Sequence, residues 1–299
     1  MITYSKYCKL IVDKQSWREK KVALKRIVAL NNELNMQLNK YKNIMDVSLY
    51  MSMDELKEAL QREKKDTLLI AATDTTIVLG KVLGVATMAY ANPDFPNQTY
   101  AGVDLLVEGF EEVDLDFLEK VYQRHHHIPW TILETERCVI RELMLDDLDN
   151  LFELYRDEEI TQYTDDLHAY EEEKELQHAY IENMYRYFGY GLWLVFSKET
   201  GELIGRAGLE HREYHDEIEL DLGYVIGTKY QRQGFATEIC EAIIAYAKEN
   251  TGFERINVLI KEGNLASEKL AQKLGFLHVE DLETEKGNFW RYILDFSKI

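Results

Sequence analysis

Apolar positions change their period several times along this chain, and each change marks an element. From Glu219 to Ile226 they alternate with polar ones, the spacing of a half-buried strand. Ile239, Ile243 and Ala247 recur every fourth residue, one face of a helix, and Arg255 to Ile260 returns to strand-like alternation. The pattern predicts helices over Asp146 to Arg156 and Glu172 to Phe188, with a polar segment, Asp157 to Glu171, between them. Nearer the start, residues 16–42 read as one long helix with Leu24, Ile27, Leu34, Leu38 and Tyr41 close to heptad spacing; Asn31 interrupts that seam, so packing within its own domain is expected over a free coiled coil. A second helix fits Asp54 to Lys64, capped by Ser52 with Glu55 three residues on. Strands are then predicted at Thr67 to Ala72, Val85 to Tyr90 and Asp104 to Val107, with a helix over Thr75 to Leu83. A boundary near Pro129-Trp130 divides the chain into residues 1–130 and 131–299.

Between the strand ending at Ile226 and the helix through Ile239 lies Gln231-Arg232-Gln233-Gly234-Phe235-Ala236. A glycine there has no Cβ to hold back a large anion, so backbone N–H groups crowd around a diphosphate. The helix that follows adds its unpaired N–H groups and the positive end of its dipole. Gln231 can donate an amide hydrogen bond, Arg232 supplies a fixed positive charge, and Ala236 keeps the second approach narrow. No lysine of the P-loop kind follows, which disfavours a nucleotide-hydrolysing cradle. Farther on, Asn264-Leu265-Ala266-Ser267 precedes Lys273-Leu274-Gly275-Phe276.

With these signals in order, residues 131–299 resemble the GNAT N-acetyltransferase superfamily, and within it the RimJ/RimL-like branch. The other marks are Leu133-Glu134-Thr135-Glu136-Arg137 running into Cys138-Val139-Ile140-Arg141 and Asp147, then Leu203-Ile204-Gly205 with Gly208-Leu209, then Asp221-Leu222-Gly223-Tyr224. The resemblance implies a mixed α/β fold, a mostly antiparallel sheet flanked by helices, with acetyl-CoA as cosubstrate and no metal. It implies that the pantetheine arm adds like a strand to the backbone of Tyr224, Val225 and Ile226, that residues 231–236 hold the diphosphate, that Asn264 fixes the arm, and that Ser267 opens the last helix.

Acetyl transfer requires an amine to lose a proton, attack the thioester, and release a thiolate. Asp221 stands at the acidic position before Gly-Tyr in the branch's pattern, and Glu219 shares its strand face by period two. Either could draw off the proton through a water; either could instead pair with Arg206 or Arg212. Elsewhere in the superfamily a glutamate and a tyrosine do proton work at positions that here hold Leu259 and Ala271. In this fold the segment Asp157 to Glu171 overhangs the acceptor pocket, and its Tyr163, Asp165 and Tyr170 are the expected substrate contacts.

The N-terminal part resembles the C-terminal half of a haloacid-dehalogenase-type phosphatase. Lys81 and Gly84 set the register, and Gly102-Val103-Asp104 through Phe110-Glu111-Glu112-Val113 matches the ending. In that register the acidic metal-ligand positions hold Ala72 and Thr76, Asp74 is out of step, and no upstream strand carries the Asp-x-Asp nucleophile pair. A smaller helical and α/β scaffold domain without phosphoryl transfer is expected. His125-His126-His127 reads as a helix end, because consecutive helical residues point in different directions.

The 299-residue chain carries a formal net charge of −19. Of its 35 Lys and Arg and 54 Asp and Glu, residues 1–130 hold 17 and 18; residues 131–299 hold the other 18 and 36, so nearly all the excess negative charge lies there. Such a field attracts cations and repels nucleic acid. The expected partner is therefore a cationic amine, either small or a protein N-terminus, with a homodimer allowed and neither nucleic acid nor membrane involved. Three scattered cysteines and the lack of an apolar leader fit a reducing cytoplasm. A non-catalytic acetyl-CoA binder that acts through its N-terminal domain is the competing expectation, motivated by Leu259 and Ala271.

Overall fold

The computed structural model describes residues 24–34, 37–103 and 105–298, with no statement for the side chains of Arg186 and Tyr187. Contacts divide the described chain between Trp130 and Thr131 into two compact units.

The N-terminal unit is a five-stranded parallel sheet. Its elements are β1 (Arg26–Leu30), α1 (Asn31–Leu34), β2 (Asp46–Tyr50), α2 (Met53–Arg62), β3 (Thr67–Ala71), α3 (Asp74–Leu83), β4 (Ala86–Tyr90), β5 (Leu106–Val107) and α4 (Leu115–His125). The strand order is β2-β1-β3-β4-β5 with every pair parallel. Parallel strands covered on both faces read as unbroken apolar runs. Ile27 and Ala29 accordingly pack on one side with Leu68 and Ile70, while Val28 and Leu30 pack on the other with Leu69 and Ala71.

That double burial overturns the long helix expected from residue 16. Leu24, Ile27, Leu34, Leu38 and Tyr41 are all buried, yet Ile27 belongs to a strand and Leu34 to a single helical turn. A continuous apolar run satisfies a helical period as readily as a strand; residues 16–23 lie outside the described residues. The helices and strands expected over Asp54 to Lys64, Thr67 to Ala72, Thr75 to Leu83 and Val85 to Tyr90 fall where the pattern places them, whereas β2 is a strand the pattern does not predict. Ser52 caps α2 through the Glu55 N–H, Thr73 caps α3, Asp114 caps α4, and His126 terminates α4. The strand expected from Asp104 is shorter, Leu106–Val107.

The second unit is an eight-stranded sheet of order β12-β13-β11-β10-β9-β8-β7-β6. The strands are β6 (Thr131–Glu134), β7 (Cys138–Arg141), β8 (Leu192–Ser197), β9 (Leu203–Tyr214), β10 (Glu217–Ile226), β11 (Arg255–Lys261), β12 (Leu277–Thr284) and β13 (Gly287–Asp295). Its helices are α5 (Leu148–Tyr155), α6 (Glu158–Thr161), α7 (Tyr170–Tyr180), α8 (Phe235–Asn250) and α9 (Leu265–Lys273), and an eight-residue π-helical stretch, Ile181–Phe188, continues α7. All pairings are antiparallel except β10 with β11. One sheet face meets α8 through Trp193 and Tyr246, whose rings stack edge-on at 5.3 Å; Tyr224 on the same face reaches Ser267 of α9.

No helix among the described residues is long and apolar enough to cross a membrane.

Candidate active site

The parallel ladder between β10 and β11 is two residues long, Leu220 opposite Ile256 and Asp221 opposite Asn257. Beyond Asp221, β10 continues to Ile226 paired only with β9, and from Val258 β11 pairs only with β13. Two strands that start paired and then part leave backbone N–H and C=O groups facing a slot, where an extended molecule can add as a strand. Tyr224, Val225 and Ile226 lie on the β10 side of this slot. The Tyr224 side chain points away into the α8 and α9 layer, where burial pushes its hydroxyl pKa up.

The loop 231–236 stands at the far end of the same strand. Gly234 is the N-cap of α8 with φ +85°, and no side chain caps the helix there. Arg232 is also left-handed, φ 59°, exposed, and without a partner among the described residues. Two left-handed residues flanking Gln233 curl the backbone so that consecutive N–H groups converge in front of an uncapped helix of 16 residues. That arrangement suits a diphosphate. Gln231 and Gln233 are occupied differently from the expectation: their amides donate to Ile226 O at 3.0 Å and Lys229 O at 2.7 Å, so they brace the loop.

Arg137 performs a role that the sequence reading did not assign. It donates to Glu238 Oε2 at 2.6 Å and to Gln233 O at 3.0 Å, and its guanidinium lies 4.0 Å from the Phe235 ring centroid. The Leu-x-Thr-x-Arg segment that opens this unit thereby clamps the 231–236 loop from the turn between β6 and β7. Phe235 is buried as a packing residue, and Ala236 is half-buried in the first turn.

Asn264, and not Ser267, opens α9: its Oδ1 accepts from Ser267 N at 3.1 Å, and the helix starts at Leu265. Ser267 sits inside the first turn.

The two acids proposed for proton handling are both buried, 5% exposed each. Glu219 accepts from Arg255 Nε and Nη2, Asn257 Nδ2 and Arg291 Nη2, all at 2.8–2.9 Å. Burial opposes its charge, but those donors prevail and hold the carboxyl below its ordinary range. Asp221 accepts from Arg212 Nε and, on both oxygens, from the Tyr214 hydroxyl at 2.8 and 3.0 Å. Burial dominates there and pushes its pKa up. Asn257 also donates to Leu220 O and accepts from Arg291 Nε, so a buried polar network locks the root of the slot where the strands are still paired. Leu259 and Ala271 take no part in proton transfer; Leu259 follows Asn257 on the same face of β11, and Ala271 is core.

The segment after α5 is tied across to the β11 side of the slot. Tyr163 donates to Gly263 O at 3.3 Å, Lys261 donates to Gln162 O at 3.1 Å, and Lys286 pairs with Asp165 at 2.6 Å. Tyr170 lies apart, donating to Asp149 at 3.0 Å and packing on Phe152.

In the N-terminal unit, the point where strand order reverses lies between β1 and β3, the usual ligand crevice of such sheets. The upstream strand β1 leads into Asn31-Asn32-Glu33 of α1, with no Asp-x-Asp pair. Glu33 is 3% exposed; it accepts from Ala72 N at 2.8 Å, Thr73 Oγ1 at 2.9 Å and Thr76 Oγ1 at 2.8 Å. The chain's own carboxylate thus fills the N-terminus of α3. No group of three or more metal-ligating side chains occurs among the described residues.

Residues 137–277 match the family model described as acetyltransferase (GNAT) domain. The chain carries an acetyltransferase domain. Similar proteins include an uncharacterized N-acetyltransferase, YoaA, of Bacillus subtilis (strain 168), 27% identical over 147 residues that cover 48% of this chain and 82% of that protein. An uncharacterized N-acetyltransferase, p20, of Bacillus licheniformis is 28% identical over 164 residues, 52% of this chain and 89% of that one. Among solved structures, a GNAT-family acetyltransferase from Bacillus anthracis has 19% identity and a TM-score of 0.46, covering 55% of this chain and 98% of that one. The chain is an acyltransferase of the N-acetyltransferase kind, and its second unit is a mixed α/β fold with a mostly antiparallel sheet flanked by helices.

Proposed function

We propose that this enzyme transfers the acetyl group of acetyl-CoA to a primary amine that carries positive charge in solution. One observation carries the reading: the slot beyond Asp221 and the uncapped start of α8 lie at the two ends of one stretch, β10 and the loop after it. A molecule with an extended amide arm and a diphosphate fits that combination, the arm pairing with Tyr224, Val225 and Ile226 and the diphosphate facing residues 232–236. Arg232, free among the described residues, would meet a phosphate.

The acceptor enters from the face that carries Asp221, where Tyr163 and Asp165 border the slot. A protonated amine is drawn there by the excess acidic charge of residues 131–299. Small polyamines and protein N-termini share this chemistry. The N-terminal unit is proposed to be a scaffold without phosphoryl transfer, its crevice filled by Glu33.

The test is thiol release from acetyl-CoA with a panel of small polyamines and peptides. Release above the amine-free blank supports acetyl transfer; saturable binding with no release in any case contradicts it.

A further inference from the structure

Glu210 on β9 lies directly opposite Asp221 on β10 in the antiparallel register. Alternation places Arg206, Glu210 and Arg212 on one face of β9, beside Glu219 and Asp221. Two carboxylates opposed across a strand pair repel each other, and the arrangement persists when cations or a proton relieve it. Asp221 has that relief from Arg212 and Tyr214. Glu210 has less: the only hydrogen bond its carboxylate receives among the described residues is at Oε1, from the Tyr180 hydroxyl 3.5 Å away.

The groups facing Glu210 come from four elements. Arg206 and Arg212 are on its own strand, Asp221 on β10, Tyr155 on α5 and Tyr180 on α7. Arg206 is 7% exposed; its Nη2 donates to Gln177 at 3.4 Å, and its Nε has no partner among the described residues. Burial raises the Glu210 carboxyl above its ordinary range; Arg206 and Arg212 pull it down, Asp221 pushes it up, and Tyr180 lowers it. Tyr180 meets Tyr185 edge-on at 5.5 Å where α7 passes into its π-helical stretch, a winding that is rare and frequent at functional sites. Of the other carboxylates on this face, Glu219 accepts from charged donors on both oxygens, Asp221 accepts from Arg212 on one oxygen and from the Tyr214 hydroxyl on both, and the exposed Glu217 pairs with Arg255 at the strand end. Glu210 Oε2 accepts no hydrogen bond among the described residues and can take a proton.

We infer that Glu210, and neither Asp221 nor Glu219, accepts the proton of the incoming ammonium group, with Asp221 and Tyr180 as positioning residues that set its charge. The inference rests on the acetyl-transfer reading above. One N–H proton of the ammonium passes through a water to the Glu210 carboxylate. The freed nitrogen lone pair forms the C–N bond to the thioester carbonyl, giving an oxyanion. Its collapse breaks the C–S bond, and the thiolate that leaves takes the second proton lost by the nitrogen; Glu210 returns its proton to solvent.

The experiment measures kcat against pH for the full chain with an amine that supports thiol release, beside acetyl-CoA affinity by calorimetry. The wild-type rate should rise as Glu210 ionises. Glu210→Gln should lose that limb and lower kcat by about 10²–10⁴ while acetyl-CoA affinity stays within about twofold. Asp221→Asn removes the like charge and frees Arg212, so the limb should move to lower pH. Tyr180→Phe removes a donor to the ionised form, so it should move to higher pH. Opposite shifts would not follow from structural damage, and they decide the matter even if Glu210→Gln fails to fold. A wild-type limb in Glu210→Gln, or no shift in the other two, overturns the inference while acetyl transfer stands. No release by the wild type with any amine overturns both.

Discussion

Arg291 on β13 reaches over β11 to bond Glu219 on β10, Nη2 to Oε1 at 2.8 Å, with both side chains 6–7% exposed. The same guanidinium meets Asn257 and Glu280 and lies 3.8 Å from the Tyr214 ring centroid, and Tyr214 holds Asp221. One arginine therefore joins the strands on both sides of the slot at the level where they are still paired. Its buried charge is tolerable because nearly every donor finds an acceptor.

Removing one partner of such a pair leaves the other charge buried. Arg291→Met should destabilise the second unit by roughly 3–5 kcal/mol in urea titration. Because Glu219 is held below its ordinary range, its contribution is present above the unfolded carboxyl value of about 4.3 and fades as pH falls through the lower folded value. Glu219→Gln should flatten this part of the acid dependence. An unchanged midpoint in Arg291→Met would show that the network is not structural.

Gly234→Val should weaken acetyl-CoA binding at least tenfold, about 1.4 kcal/mol. A Cβ there meets nothing closer than Arg137 Nη2 at 3.5 Å, so the cost comes from φ +85° and from the blocked approach of the diphosphate, not from crowding in the free protein. Calorimetry on the folded variant checks it, and unchanged affinity would remove the loop from the binding site.

Much of this was legible in the sequence because local rules act alone there. The alternation in Glu219–Ile226, the glycine before Phe235 and the cap at Ser52 each depend on near neighbours, and each element formed as read. The strand Arg26–Leu30 was misread because its side chains are buried on both faces, which erases the period. Charge partners were harder still. Arg212 with Asp221 was foreseeable from strand neighbours, but Arg255 and Arg291 reach Glu219 from strands 36 and 72 residues away. Glu210 carries no motif, and only the β9–β10 register brings it opposite Asp221.

Glu33→Ala would leave Ala72 N and one of the Thr73 and Thr76 hydroxyls without an acceptor, those two hydroxyls being 3.0 Å apart and able to bond each other. At about 1–3 kcal/mol for each buried polar group left unpaired, the N-terminal unit should lose several kcal/mol. Added acetate or phosphate should recover part of that loss by refilling the start of α3. Equal stability with and without Glu33, measured by urea unfolding, would contradict this view of the crevice. The full chain with magnesium should hydrolyse an aryl phosphate no faster than a metal-free control.

Asp165→Asn together with Tyr163→Phe should raise the KM for a cationic amine by about three- to tenfold with little change in kcat if, as proposed, both residues border the acceptor side, because the buried carboxylates are untouched. A fall in kcat alone, with KM constant, would place this segment in the chemistry and not in acceptor binding.

The measurement that bears most directly on acetyl transfer is the amine-dependent release of CoA thiol by the full chain, followed with a thiol reagent beside mass analysis of the amine. The expected result is release that grows with amine concentration, one acetyl group gained per thiol released, and loss of both in Gly234→Val at subsaturating acetyl-CoA. Saturable acetyl-CoA binding with thiol release equal to the amine-free blank across polyamines and peptides would contradict the account.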